Sequence, residues 1–167
     1  MFLLRIGLNK MKKQFLSFLL LLSCVFSVSA QTKEARIIDE TSDFCCEATR
    51  TRLDNFFVEL QNNPKTKGYV IYYGGRNHPI CSKNRMPKRG EIDIITTIFK
   101  KHVEFRGQDP KRFIWINGGY RENWTAEFWI VPNGADAPKP TPTPTLEERD
   151  IKFKRGKAKK VNLHCVP

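Results

Sequence analysis

Histidine is scarce in this 167-residue chain, and none of its three histidines stands in a catalytic-type motif. They lie in a cysteine-bearing segment (His78), in a predicted helix (His102) and near the carboxyl terminus (His164). A pair of carboxylates for glycoside cleavage is lacking too, because Glu122 and Glu127 are predicted to be a solvated loop acid and an outward-facing strand acid. The sequence therefore identifies no catalytic residue, and we expect that the protein is not an enzyme.

The chain also lacks any Cys-x-x-Cys pair, the spacing that is typical of structural zinc sites. We therefore expect neither a metal site nor a cofactor. An even number of cysteines remains after the leader described below is removed, and in an oxidising compartment this favours disulfides. Adjacent cysteines seldom bond each other. The sequence predicts two disulfides, in a pairing that it does not determine, among Cys45, Cys46, Cys81 and Cys165.

Long apolar runs are missing beyond the first 30 residues, and the run at residues 15–26 is short for a membrane span. A basic start at Lys12 and Lys13, this apolar run and the small residues Val28-Ser29-Ala30 are together typical of a secretory signal peptide. We predict a signal peptide at residues 1–30, export to the periplasm or the extracellular space, and no transmembrane helix.

Two alternatives concern this leader. Met11 is an alternative start to Met1, because the signal-peptide features begin there. Leu21-Leu22-Ser23-Cys24 also resembles the lipobox of bacterial lipoproteins, in which Cys24 would become the lipid-bearing first residue. That alternative would leave the apolar pair Val25-Phe26 at the start of the mature chain.

Acidic residues are in deficit, since 29 Lys and Arg stand against 17 Asp and Glu. Removal of residues 1–30 takes away four basic residues and no acid, which leaves 25 basic and 17 acidic side chains. An exported chain is not expected to meet nucleic acid, so the excess favours anionic envelope polymers, lipid headgroups or an acidic envelope protein as partners. The alternative is that the charge serves solubility only.

Residues 31–132 carry the pattern of a single α/β domain. Ile37 and Ile38 mark a short edge strand or an unfolded lead-in. A helix follows, for which Asp43 is the predicted cap. A compact strand at residues 69–73 comes next and is closed by two glycines. The turn that ends this helix is Asn62-Asn63-Pro64. Apolar residues recur along the helix at helical spacing, and they are Leu53, Phe56, Phe57 and Leu60.

Residues 76–89 form the longest irregular segment within the domain. Loops of this length are usually functional or pinned, and Cys81 supplies a pin. Five cations make this basic loop the first candidate binding surface: Arg76, Lys83, Arg85, Lys88 and Arg89. A second helix is predicted from Glu91 to Phe105, with Gly107 just beyond its end.

The densest aromatic and β-branched content lies at residues 113–132. We predict two strands there, residues 113–116 and 125–131, which form a hairpin around a Gly-Gly-Tyr-Arg-Glu-Asn loop. Two glycines in this loop can take positive φ at little cost. Tyr120, Arg121 and Glu122 would then either grip a sugar or a peptide carboxylate or only order the turn.

The predicted order of helix, strand, helix, strand, strand indicates an α/β fold of the two-layer α+β type, in which two helices pack on one face of a small mixed β-sheet. Residues 133–145 are rich in proline and threonine and are predicted to be a stiff linker without packing potential. Residues 146–167 form a basic tail, and Cys165 suggests that it folds back onto the domain. A free tail is the alternative.

Residues 53–75, LDNFFVELQNNPKTKGYVIYYGG, combine a helix, an Asn-Pro turn and a strand that ends in a glycine-bearing loop. Residues 91–119 repeat the pattern with a second helix, an Asp-Pro turn and a strand ending in Gly118-Gly119. This arrangement resembles the OmpA C-terminal-like domain, a family that binds peptidoglycan in the bacterial envelope. The Tyr-Gly-Gly, Gly-Gly-Tyr-Arg-Glu and Trp-Ile-Val-Pro elements, with the Pro-Thr linker, are also similar to a group of small secreted bacterial proteins without an established activity.

The chain departs from the OmpA-like family at the residues that contact the ligand. The family has an aspartate just after the first of these strands, where this chain has Gly75-Arg76-Asn77, and an arginine in the second helix, near Ile95 here. The family's peptidoglycan-binding residues are thus not carried over. We expect a secreted, non-catalytic, envelope-associated binding or structural domain, and the alternative is a hydrolase that acts on an envelope polymer. The sequence does not determine the oligomeric state.

The disulfide prediction can be checked by mass spectrometry of the intact mature protein. Each disulfide should add two hydrogens to the mass on reduction, because it becomes two thiols. Alkylation of all four cysteines without a reductant would contradict the prediction.

Overall fold

The structure is a computed structural model, and it describes residues 34–80 and 83–158. The predicted signal peptide and the predicted disulfide partners Cys81 and Cys165 lie outside the described residues. The described elements, in chain order, are β1 (Arg36–Thr41), α1 (Cys46–Asn62), β2 (Thr66–Asn77), β3 (Lys88–Arg89), α2 (Glu91–Phe105), a 3-10 turn (Pro110–Arg112), β4 (Phe113–Asn123), β5 (Thr125–Pro132), a second 3-10 turn (Glu148–Asp150) and β6 (Lys154–Lys157).

Four strands form a mixed sheet in the order β1-β5-β2-β4. β5 runs antiparallel to both of its neighbours, whereas β4 is parallel to β2. The short strands β3 and β6 form a separate two-stranded sheet. An α+β fold with two helices and a small mixed sheet, as the sequence predicts, is therefore confirmed.

The hydrophobic core lies between the helices and one face of this sheet. The apolar residues predicted for α1 are all buried, and Ile95, Phe99 and Val103 of α2 join them. Strand residues such as Val70 and Phe128 complete the layer and are fully buried. Gly68 of β2 leaves space for the α1 side chains, since a Cβ there would lie 2.7 Å from the Phe56 ring. Helical spacing therefore located most of this core.

The predicted cap of α1 is wrong by two residues. The helix begins at Cys46, and the residue before it, Cys45, has no side-chain cap hydrogen bond. Asp43 instead accepts a hydrogen bond from the amide of Cys45, at 3.0 Å. Its carboxylate therefore orders the approach to the helix rather than the first turn. Next to it, the amide of Phe44 donates to the carbonyl of Pro79 at 3.2 Å, which makes these two chain segments neighbours.

The predicted hairpin at residues 113–132 is wrong. Both strands exist, but β2 lies between β4 and β5 and pairs with each of them. Only Trp124 separates the two strands in sequence, and its amide donates to the carbonyl of Asn77, at 2.9 Å. The chain therefore passes from one side of β2 to the other across the end of that strand.

Gly75 permits this crossing. A Cβ at Gly75 would lie 2.6 Å from the carbonyl carbon of Asn123 and 2.7 Å from the carbonyl oxygen of Arg121, so backbone would meet backbone. The predicted loop at residues 118–123 is instead part of β4. Its register with β2 shifts between Tyr72 and Gly74, and Gly119 takes a φ of 89° at this bulge.

The Pro-Thr segment does pack, contrary to the prediction for residues 133–145. Pro138 is buried, and the amide of Thr143 donates to the carbonyl of Tyr120 at 2.9 Å. Further along, Leu146 and Ile151 are 6% and 7% exposed. The chain thus returns to the domain after β5. As far as residue 158 the tail is docked, through the pairing of β6 with β3.

We expect Gly75→Ala to lower the free energy of unfolding by about 1–3 kcal/mol or more, because the new methyl group would meet main-chain atoms that cannot move aside singly. Chemical denaturation of the purified variant measures this change.

Gly107→Ala is the matched control. Gly107 has a φ of 65°, and the space that a methyl group would occupy there is open, so alanine adds backbone strain of about 1 kcal/mol without a clash. A Gly75→Ala variant as stable as the wild type would show that the crossing is not a close backbone contact.

Candidate functional site

The basic loop and the basic tail meet in space. β3 pairs in parallel with β6, with Lys88 opposite Lys154 and Arg89 opposite Lys157. Two further backbone hydrogen bonds extend the pairing, from Lys154 to the carbonyl of Pro87 at 2.9 Å and from Ala158 to the carbonyl of Arg89 at 3.1 Å. We call this two-stranded unit the basic ribbon, and its cations are Lys88, Arg89, Lys154, Arg155 and Lys157.

Most of the positive charge on the basic ribbon is available to a partner. All four residues of β6 are exposed, and none of its cations forms a salt bridge within residues 34–80 and 83–158. Arg89 differs, because it pairs with Glu148 and its guanidinium lies 4.7 Å from the centre of the Phe153 ring. Arg89 therefore anchors the returning chain, while β6 presents its charges to solvent.

A buried polar cluster supports the ribbon at the start of α2. Glu91 is 4% exposed and accepts hydrogen bonds from the Arg85 guanidinium and from the amide of Lys88, the latter at 2.9 Å. His78 is fully buried, and its Nδ1 lies 3.5 Å from Oε2 of Glu91. The imidazole stacks on Trp124, with ring centres 3.7 Å apart. The Glu91 carboxylate thus connects the basic loop to the start of α2.

The pKa values in this cluster are displaced for identifiable reasons. Burial lowers the pKa of His78, which outweighs the opposite effect of the nearby Glu91 and Asp43 carboxylates, and the Arg85 charge lowers the pKa further. Burial by itself raises the pKa of Glu91. The His78 ring, the Arg85 guanidinium and the Lys88 amide overcome that effect and bring the pKa of Glu91 to about 2. Glu91 is therefore ionised, and the imidazole is held in its neutral form.

The five cations predicted for the loop have different roles. Arg76 pairs with Glu122 across the end of the sheet at 3.3 Å, both side chains being exposed. Arg85 is committed to Glu91, and Arg89 to Glu148. Lys83 is exposed, and Lys88 is half-buried in β3. The loop alone is therefore a weaker cationic surface than its sequence indicates, and the tail supplies the rest.

The second predicted group, Tyr120, Arg121 and Glu122, does not act as one grip. Glu122 faces Arg76, as just described. Arg121 lies over the Tyr73 ring, with its guanidinium carbon 3.7 Å from the ring centre, and pairs with Glu40 and Glu127. A shallow groove of about 530 Å³ begins beside it, lined in part by Glu40, Glu122 and Thr141. The arginine of this group is already fully engaged within the chain.

Glu127 is not an outward-facing strand acid, which corrects the prediction for this residue. It is 5% exposed and accepts hydrogen bonds from Arg121, from the Tyr73 hydroxyl at 3.3 Å and from the Trp129 indole at 3.0 Å. Glu122, by contrast, is exposed as predicted. The prediction failed because nothing in the sequence shows that the sheet face away from the helices is covered as well.

No group of three His, Cys, Asp or Glu side chains suitable for a metal ion occurs in the part of the chain that the structure describes. Neither helix in the described residues is long and apolar enough to cross a membrane.

The chain matches no protein-family model, no curated protein and no solved structure. The resemblance to the OmpA C-terminal-like domain therefore stays a prediction from the sequence pattern.

The Glu91 cluster predicts stability that falls on acidification in two pH windows. Below pH 6.5, the ordinary pKa of histidine, the unfolded chain takes up a proton at His78 that the folded chain resists, so the free energy of unfolding falls with pH. Between pH 4.5 and about 2 the unfolded chain protonates Glu91 before the folded chain does, which removes about 3 kcal/mol.

Denaturation of Glu91→Gln across this pH range tests the second window. The deficit of the variant relative to the wild type should shrink between pH 4.5 and 2, whereas Glu104→Gln, an exposed acid on the same helix, should follow the wild type. A deficit that stays constant down to pH 2 would contradict the assignment to Glu91.

Proposed function

We propose that this protein is an exported, non-catalytic domain that binds an anionic polymer of the bacterial envelope through the basic ribbon. One observation carries the proposal. Two cationic segments that lie far apart in sequence, at residues 88–89 and 154–157, are brought side by side by backbone pairing, with β6 fully exposed. The excess of basic residues is thereby concentrated on one surface element.

The geometry of the ribbon suits a repeating anion. Lys154, Arg155 and Lys157 lie within four successive residues of β6, and a strand rises by about 3.3 Å per residue, so these charges are spread over roughly 10 Å rather than gathered at one point. Several weak contacts of this kind add together along a polymer, and because they are exposed they weaken as salt rises. A polyanion is therefore favoured over a single small anion.

Docking of the tail also favours binding over mere solubility. A free basic tail would lose conformational freedom when it met a partner, and that loss would reduce its affinity. In the ribbon the strand is already ordered by its pairing with the loop and by the Arg89 to Glu148 contact. Charge that served solubility alone would not need to be held in a fixed strand.

The resemblance to the OmpA-like family supports an envelope location for this activity. The predicted signal peptide points the same way, since it directs the chain out of the cytoplasm. Because the aspartate and the arginine of the family's peptidoglycan site are lacking, the ribbon would serve as a different contact surface. The ligand class we propose is accordingly an anionic polymer, recognised by charge rather than by the family's ionic contacts to peptide.

Retention on purified peptidoglycan that still carries its anionic polymers tests this function. The wild type should be retained at low salt and released at high salt. Lys154→Gln/Arg155→Gln/Lys157→Gln should weaken retention at least about tenfold, because each cation near an anionic surface contributes about 1 kcal/mol.

The matched control is Lys65→Gln/Lys67→Gln/Lys111→Gln, which removes the same charge from exposed positions away from the ribbon. Equal losses in both triple variants would show that net charge, and not the ribbon, is responsible. Absence of retention at low salt would overturn the proposal, and soluble fragments released over time would favour the hydrolase instead.

A further inference from the structure

The second face of the main sheet is covered by the chain itself. The helices pack against the face that bears Val70 and Phe128, yet Tyr73 and Glu127, which face the opposite way, are 0% and 5% exposed. The segment over Tyr73 is residues 138–143, which the sequence predicts to be a linker. Glu127 and Tyr73 are therefore buried beneath residues 138–143, whose sequence has almost no apolar pattern.

The contacts to this segment use the amide and the hydroxyl group of threonine, which proline lacks, together with one carbonyl. The amide of Thr141 donates to the Tyr73 hydroxyl at 3.1 Å. Arg121 donates to the carbonyl of Thr141 from Nε at 3.1 Å and to its hydroxyl at 2.7 Å. Because proline has no N–H, an alternating Pro-Thr sequence offers an amide only at every second residue. Thr141 and Thr143 both use theirs.

The side chains that contact Thr141 also contact one another. Glu127 accepts hydrogen bonds from both Arg121 and the Tyr73 hydroxyl, and the Arg121 guanidinium lies over the Tyr73 ring. Gly118 leaves room for that ring, because any Cβ there would overlap it. Pro142 then fits against Gly119, where a Cβ would lie 3.3 Å from the proline. Tyr73, Arg121 and Glu127 thus form a connected group beneath the segment, which we call the clamp.

We propose that the clamp is a binding site for an extended Pro-Thr segment, that its occupant is residues 138–145 of this chain, and that its occupancy holds β6 in the basic ribbon. Beyond Thr143 the chain is seated by buried Leu146 and Ile151 and then enters β6. The clamp therefore lies on the path of the chain between β5 and β6. Its effect on polymer binding rests on the proposed function, whereas its effect on tail docking does not.

Limited proteolysis with trypsin, applied to the full mature chain, tests the clamp. Cleavage at the tail residues Arg149, Lys152, Lys154 and Arg155 reports opening of the tail, since proteolysis follows the population of the open state. Tyr73→Phe removes the hydroxyl that accepts the Thr141 amide and should speed this cleavage about threefold to tenfold, the effect of the one hydrogen bond that this hydroxyl makes to the tail. The hydrogen bond that the same hydroxyl donates to Glu127 lies within the clamp. Thr141→Pro removes the amide itself and should act in the same direction.

Tyr69→Phe is the control, because it removes a hydroxyl from the same strand at a residue with no side-chain hydrogen bond among the described residues. Cleavage after Arg52, within α1, reports global unfolding and should not change in any of the three variants. Unchanged tail cleavage in both Tyr73→Phe and Thr141→Pro, or equal acceleration after Arg52, would overturn the inference.

Retention on the anionic polymer separates this inference from the proposed function. If both hold, Tyr73→Phe and Thr141→Pro weaken retention while Tyr69→Phe does not. Faster tail cleavage in a protein whose wild type is not retained would support the clamp and overturn the function. Retention that is unaffected in variants with an open tail would overturn the ribbon as the polymer-binding surface and would leave the role of the clamp in tail docking intact.

Discussion

The close passage of the main chain over Gly75 decides the arrangement of this domain. With no side chain at Gly75, the end of β4 can cross β2, and β5 then returns on the opposite side. Arg121 from β4 and Glu127 from β5 consequently meet above Tyr73 of the strand between them. In a simple hairpin, β4 and β5 would pair with each other and β2 would not lie between them. The clamp, and with it the binding site for the Pro-Thr segment, would then not exist.

Among the described residues many arginines and no lysines form salt bridges, although Arg155 of β6 is exposed and forms none. The arginines with partners are used internally: Arg52 donates to both oxygens of Asp39 at 2.6 Å, Arg85 pairs with Glu91 and Arg121 with Glu127. The planar guanidinium suits such fixed pairs, while the ammonium group of lysine is strongly hydrated and stays in solvent. The lysines of β6 follow this rule, since they are exposed. The number of cations in the loop sequence is therefore larger than the number that a partner can reach. The tail contributes more accessible cations than its sequence alone indicates.

The sequence predicted the features that local periodicity determines. Both helices, the buried stripe of the first helix and the strands at residues 69–73 and 125–131 follow from apolar spacing and glycine or proline punctuation. The hairpin was wrong because a one-residue connection at Trp124 gives no sign that it crosses another strand. Docking of the Pro-Thr segment was missed for a different reason. It depends on main-chain amides and on side chains distant in sequence, such as Tyr73, which leave no apolar pattern in the segment itself.

Glu91 explains how so short a strand as β3 can form part of a surface. Two residues are too few to be stable as a strand on their own, and here the amide of Lys88 is held by a buried carboxylate at the start of α2. A negative charge is favourable at a helix amino terminus, where main-chain N–H groups lack partners. Loss of the Arg85 guanidinium would leave the Glu91 charge buried without an oppositely charged partner, which is costly. The helix, the loop and β6 are thus coupled through one carboxylate, and the position of the ribbon follows from the core rather than from its own sequence.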